Sequence, residues 1–139
     1  MKLVVDANIL FSALIKEGLT AELLISEKLQ LFAPEFLFTE FSKYEELILK
    51  KTHRSKEEFK KFLELLKEQI TIVPKKEITP FIDIAEKISP DPKDTTYLAL
   101  AFALKSSIWS NDKSLKQGQE KITVFSTEEL IEKTNLLKI

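Results

Sequence analysis

Short apolar runs alternate along this chain with longer segments whose apolar residues recur at helical spacing. Lys2 to Val5 reads as a first strand, and Asp6-Ala7-Asn8 leads from it into an amphipathic segment, Ile9 to Lys16, followed by a second helical segment, Leu19 to Lys28. Leu29 to Ala33 predicts a second strand. Pro34 then opens a longer helix, Glu35 to about Lys51, in which Phe36, Leu37, Phe41, Tyr44, Leu47 and Ile48 share one arc at roughly 100° per residue. Ser55 with Glu58 makes a capping-box start for a helix reaching about Gln69, with Phe59, Phe62, Leu63 and Leu66 on its inner face. Ile70 to Val73 predicts a third strand, and Thr79-Pro80 starts a helix through Ile88. Ser107 to Ser110 and Ile122 to Phe125 predict the last two strands, and Ser126 with Glu129 caps a final helix. Strands alternating with helices in this way imply right-handed βαβ units around a parallel sheet with helices on both faces.

The stretch from Pro90 to Asp112 organises this pattern. Asp91 stands where an N-cap belongs, Pro92 suits the first helical position, and Asp94 occupies the third. From Tyr97 to Leu104 every residue is apolar, so this helix has no solvent face and must lie against the sheet. A strand follows, and Asp112 lies just beyond it. Asp6 holds the matching position after the first strand, where open parallel sheets bind ligands. For Asp6, Asn8 or Asp91 taken singly, helix capping is a sufficient explanation. Glu40 is harder to explain so simply, because it falls inside the apolar arc of its helix, and an inward carboxylate needs a partner or a cation.

Composition narrows the chemistry. The 139 residues suit one domain, 1–139, with a substantial core. The absence of cysteine and the single histidine, His53, exclude disulfides, thiolate zinc sites and multi-histidine metal sites. Two glycines, Gly18 and Gly118, are too few for the glycine-rich phosphate loops. No apolar run reaches membrane-spanning length and the first residues have no signal-peptide layout, so the expected location is cytoplasmic, with no membrane partner. A net charge of -1 gives no global basic field, so any nucleic-acid contact must come from local patches. Candidates are Lys113 and Lys116 after Asp112, and the Lys50 to Lys56 run, which reads first as a solvated helix connection and second as a phosphate-contacting edge.

Asp6, Glu40, Asp94 and Asp112 thus have matching placements. If they converge they cannot all stay ionised without a cation, and oxygen ligands of this kind suit Mg²⁺ or Mn²⁺. Such a site favours phosphodiester chemistry. An Asp-x-Asp phosphatase pair and a receiver-like acidic pair after the first strand are both missing.

Four segments in this order, Val-Val-Asp-Ala-Asn-Ile-Leu, Pro-Glu-Phe-Leu-Phe-Thr-Glu-Phe, Asp-Pro-Lys-Asp-Thr-Thr-Tyr-Leu-Ala-Leu-Ala and Trp-Ser-Asn-Asp-Lys-Ser-Leu, resemble those of PIN-domain ribonucleases. These occur as VapC-type toxins and as archaeal stand-alone proteins. The resemblance implies an α/β/α sandwich with a parallel five-stranded sheet, order 3-2-1-4-5. It implies an Mg²⁺- or Mn²⁺-dependent endoribonuclease acting on single-stranded RNA, with an antitoxin protein as partner if the chain is a toxin. Asp6 and Asp94 would be the principal metal ligands, Glu40 and Asp112 would complete the catalytic set, and Asn8 and Ser110 would orient it. The alternative is a PIN fold that binds RNA or protein without cutting. The family also implies a homodimer. Ten phenylalanines, among them Phe38 outside the inner arc of its helix, point to that interface.

Overall fold

The computed structural model describes residues 1–15 and 18–134. Its centre is a five-stranded sheet in the order β3-β2-β1-β4-β5. The strands are β1 (Lys2–Val5), β2 (Gln30–Pro34), β3 (Ile70–Val73), β4 (Ser107–Trp109) and β5 (Val124–Phe125), and every neighbouring pair is parallel. The expected order is therefore observed. Leu3, Val4 and Val5 of the central strand are all fully buried, as happens only where helices cover both faces of a parallel sheet. Among the described residues no helix is long and apolar enough to cross a membrane.

On the N-terminal half lie α1 (Ala7–Ile15), α2 (Leu19–Leu24), α3 (Phe36–Lys43), α4 (Glu45–Thr52) and α5 (Lys56–Gln69). Lys16, where the sequence ends the first helix, is outside the described residues, and α2 stops four residues before Lys28. The expected continuous helix from Glu35 to Lys51 is broken at Tyr44, which closes α3 and opens α4. Its N–H donates to the carbonyl of Phe41 at 3.2 Å, the tightened i to i−3 bond that ends a helix. The break resets the rotation, so Tyr44 and Leu47 come out half-exposed (50% and 49%) while Ile48 stays in the core. Phe38, expected outside the monomer core, instead packs partly buried against it, with the Lys67 ammonium 5.9 Å from its ring centre. Phe41 stacks on Phe59 with centroids 5.5 Å apart and joins α3 to α5. Both bonds of the Ser55–Glu58 capping box are present at the start of α5.

On the C-terminal half, a short helix α6 (Lys75–Ile78) and a 3₁₀ turn (Thr79–Phe81) precede α7 (Ile82–Ile88). A second 3₁₀ turn, Pro92–Asp94, capped by the Asp91 carboxylate on the Lys93 N–H, leads into α8 (Thr95–Leu104). As its composition requires, α8 is buried along most of its length and packs on β1, β2, β4 and α7. Then come α9 (Lys113–Gln117) and α10 (Thr127–Thr134), the latter entered through the predicted Ser126–Glu129 capping box.

Gly118, closing α9, has an ordinary negative φ, so its use is not conformational freedom. A Cβ there would stand 2.6 Å from the Cβ of Pro90. The missing side chain lets the end of α9, which follows Asp112, lie directly on the segment that leads to Asp94. Gly118→Ala should therefore cost about 1–3 kcal/mol through overpacking. Chemical denaturation of the variant beside the parent measures this, and equal stabilities would show that the contact relaxes freely.

Candidate active site

Parallel pairing sets Val5 opposite Trp109, so the next residues, Asp6 and Ser110, leave the sheet side by side. The ladder extends one bond further, from the Asp6 N–H to the Trp109 carbonyl at 3.1 Å. The buried Ser110 hydroxyl donates to Asp6 Oδ2 at 2.7 Å and accepts from the backbone N–H of Asp112 at 3.1 Å. Asn8 Nδ2 lies 3.3 Å from both Asp6 Oδ2 and Ser110 Oγ. Asn8 and Ser110, named by the resemblance as neighbours of the acids, both contact Asp6. Asp112 caps α9, accepting from Ser114 and Leu115 N–H groups at Oδ1, which leaves Oδ2 free of the cap. Asp94 reaches the same place from the 3₁₀ turn before α8.

Asp6, Asn8, Glu40, Asp94 and Asp112 line one crevice of about 190 Å³, together with Tyr97 and Lys93. All four acids named from the sequence are brought together. Glu40 differs from expectation in one respect: it is exposed at the rim of the crevice, not buried on the inner face of α3. Asp94 is the opposite, with only 3% exposure and no hydrogen-bond partner for Oδ2. Asn8 Oδ1 and the Tyr97 hydroxyl are likewise buried without partners. Unsatisfied polar atoms in such a cluster are costly, and their collection in one crevice marks a place built for a ligand.

Burial lifts Asp94 to about 6 from its ordinary value of 3.8, with Asp112 and Asp6 adding repulsion and Lys93 partly offsetting it. Burial also raises Asp6, against the lowering effect of the Ser110 hydrogen bond. The Tyr97 phenol is held well above its usual range, first by burial and then by Asp6 and Glu40. Tyr97 was legible only as core; its spacing of three residues from Asp94 puts both on one helix face and was the available signal. Lys93, between Asp91 and Asp94, carries no local signal of its own, since a lysine in a first helical turn reads as solvated surface.

The sequence-nominated cations fall differently. Lys113 and Lys116 line a polar depression of about 560 Å³ that shares Asp112 with the crevice, and Lys116 is paired with Glu129. Lys116 is therefore not the free cation expected. The Lys50 to Lys56 run does not line the crevice: Lys51, Thr52, His53 and Arg54 surround a separate depression by Leu14 and Ile15.

The family model for the PIN domain matches residues 4–133. The chain belongs to the PIN-domain family. It resembles in fold the crystal structure of VapBC2 from Rickettsia felis bound to a DNA fragment from their promoter, with a TM-score of 0.68 and 13% identity over 91% of this chain and 98% of that one. Comparison with curated protein sequences finds no match. The PIN fold accounts for the sheet order.

Oxygen donors without thiols or imidazoles are those of a hard divalent cation. Among the described residues no three Asp, Glu or His side chains already stand close enough to hold an ion between them. Mg²⁺ does not need such a cage, since it keeps several waters and takes one or two carboxylates together with substrate phosphate. The orphaned Asp94 Oδ2 beside Asp6 and Asp112 fits that demand.

Between its ordinary value and about 6, folded Asp94 keeps a proton that the unfolded chain releases. Its favourable contribution is complete below about pH 4 and is lost as pH rises through about 6. In metal-free buffer Asp94→Asn should melt above the parent at about pH 7.5 and converge with it near pH 4. Melting curves at the two pH values decide; a variant no more stable at the higher pH would contradict the burial of a charge there.

Proposed function

We propose that this single-domain PIN protein is a divalent-metal-dependent endoribonuclease that hydrolyses phosphodiesters of single-stranded RNA. The observation that carries the reading is the buried, unpaired Asp94 carboxylate opening into the crevice it shares with Asp6 and Asp112. Asp6, Asp94 and Asp112 would hold Mg²⁺ or Mn²⁺, one or two of them directly and the rest through its waters, with Glu40 completing the set at the rim. The cation would supply Lewis-acid polarisation of the phosphate and activation of the attacking water.

The chain's own residues supply the geometry. Ser110 and Asn8 hold Asp6 in one rotamer, and the cap on α9 holds Asp112. Lys93, at the crevice, and Lys113, beside Asp112, offer positive charge to phosphate oxygens, a contact that positions the strand without reading its sequence. Glu40, at the solvent-facing rim, is placed to exchange protons with water.

The fold shared with VapBC2 favours a finer reading in which the chain is the toxin of a toxin–antitoxin pair, restrained in the cytoplasm by an antitoxin protein. A two-fold homodimer belongs to the same reading. Phe38, partly buried, offers little surface to it, and the half-exposed Ile15 at the end of α1, Tyr44 between α3 and α4 and Leu47 of α4 offer more. Light scattering should give a dimer that Tyr44→Asp with Leu47→Asp converts to a monomer. A monomeric parent would remove the dimer, and a dimeric double variant would move its interface.

Cleavage of labelled single-stranded RNA should require Mn²⁺ or Mg²⁺ and stop with chelator. Asp94→Asn should lower the rate by about 100-fold or more. Asp91→Asn should stay close to the parent, because Asn caps a helix as well as Asp. Cation at about 100 times its Kd should add about 2.7 kcal/mol of stability to the parent. That gain should vanish in Asp6→Asn with Asp94→Asn. Metal binding and RNA binding without cleavage would establish instead the non-catalytic binding module.

A further inference from the structure

A second cavity, of about 370 Å³, lies like the acidic crevice at the carboxyl end of the strands. Its walls are Phe36, Ile78 and Ile82, and its rim carries Glu35, Lys75 and Thr96. The register sets Val4 opposite Phe32, which makes Pro34, the end of β2, level with Asp6. Pro34 in turn pairs with Val73 at the end of β3. The cavity opens just past these two strand ends, so it stands one to two strand spacings, about 5–10 Å, from Asp6.

Two elements separate cavity and crevice and face both. On α8, Thr96 lines the cavity and its neighbour Tyr97 lines the crevice; on α3, Phe36 lines the cavity and Glu40, one turn later, the crevice. The Phe36 ring meets the Tyr97 ring edge to face at 5.7 Å. A strand with a phosphate at the acids thus has an aromatic-walled hollow beside its neighbouring nucleotide. Glu35 Oε1 accepts the Lys75 N–H at 3.3 Å, which holds the carboxylate at the cavity mouth with its other oxygen outside this bond.

We infer that this cavity, walled by Phe36 and rimmed by Glu35 and Lys75 beside the acidic crevice, is a subsite for one unpaired nucleobase adjoining the scissile phosphate. The inference rests on the ribonuclease reading for the strand's path. Phe36 supplies the stacking surface, as aromatic side chains do for single strands. The Glu35 carboxylate accepts from an amino or imino N–H on the base edge, and Lys75 neutralises the adjoining phosphate. The size suits one base and excludes a folded helix, so the subsite would also select single-stranded substrate.

The test uses a fluorescent single-stranded RNA with one abasic nucleotide moved stepwise along it, and reads anisotropy with the intact protein in chelator. Removal of one particular base should weaken binding about 5- to 150-fold, the range of a single base–aromatic stack, with the other positions near neutral. Thr79→Trp, which fills the cavity from its exposed rim, should lose the same factor and become indifferent to that abasic position. Phe36→Leu should do likewise and Phe36→Tyr should restore binding, each checked for an unchanged melting curve. If a variant fails to fold, the abasic series on the parent still decides. An even loss across all positions, or a Thr79→Trp protein that binds as the parent does, overturns the subsite. Cleavage without base-dependent binding keeps the nuclease and removes the subsite; base-dependent binding that Thr79→Trp abolishes, without cleavage, keeps the subsite and removes the nuclease; neither base-dependent binding nor cleavage removes both.

Discussion

The Ser110 hydroxyl, buried at the end of β4, donates to Asp6 and accepts from the backbone of Asp112. One side chain thereby couples two acids more than a hundred residues apart in sequence. The coupling is possible only because β1 and β4 are neighbours and parallel, with Val5 opposite Trp109. Carboxylates gathered in a poorly hydrated crevice repel, and the surrounding structure must oppose that repulsion. Hydrogen bonds restrain Asp6, and helix capping restrains Asp112. Asp94 is restrained by its place at the mouth of a buried helix.

That helix explains why the site tolerates its own cost. From Tyr97 to Ala101, α8 is buried continuously against the sheet. Each fully buried large apolar side chain contributes about 1.5–3 kcal/mol, so several of them outweigh the cost of keeping Asp94 with an unpaired oxygen. Gly118 against Pro90 adds a steric tie between the segments carrying Asp112 and Asp94. Of the four buried side-chain atoms without a partner among the described residues, three, Asp94 Oδ2, Asn8 Oδ1 and the Tyr97 hydroxyl, belong to residues that line this crevice, and only Ser106 Oγ lies outside it. The three are therefore part of a local cost concentrated where a ligand can offset it.

Departures from the expected helices have a common physical origin. Rotation at 100° per residue holds only while a helix is continuous, and the turn at Tyr44 ends that continuity. After it, Leu47 leaves the inner face. Phe38 shows the complementary effect: outside the arc of its own helix, it is partly buried against the core with Lys67 of α5 beside its ring, and no periodicity within α3 could reveal that neighbour. Lys116 likewise looked like a free cation beside Asp112 until α10 brought Glu129 to it.

By itself the sequence determined the alternation of strands and helices, the buried character of α8 and the caps at Ser55, Asp91 and Ser126, and it marked Asp6 and Asp112 just past strand ends. These are local properties, written in periodicity, in cap chemistry and in acids placed just past strand ends. Only the tertiary structure decided that Glu40 stands exposed at the rim while Asp94 is buried, that Tyr97 lines the crevice with its hydroxyl buried and unpartnered, and that the basic run of Lys50 to Lys56 lies elsewhere. It also decided that an aromatic-walled cavity adjoins the acids, since Phe36, Lys75, Ile82 and Thr96 come from four separate segments. Burial and pKa depend on what long-range packing places around a side chain, and no local pattern carries that information.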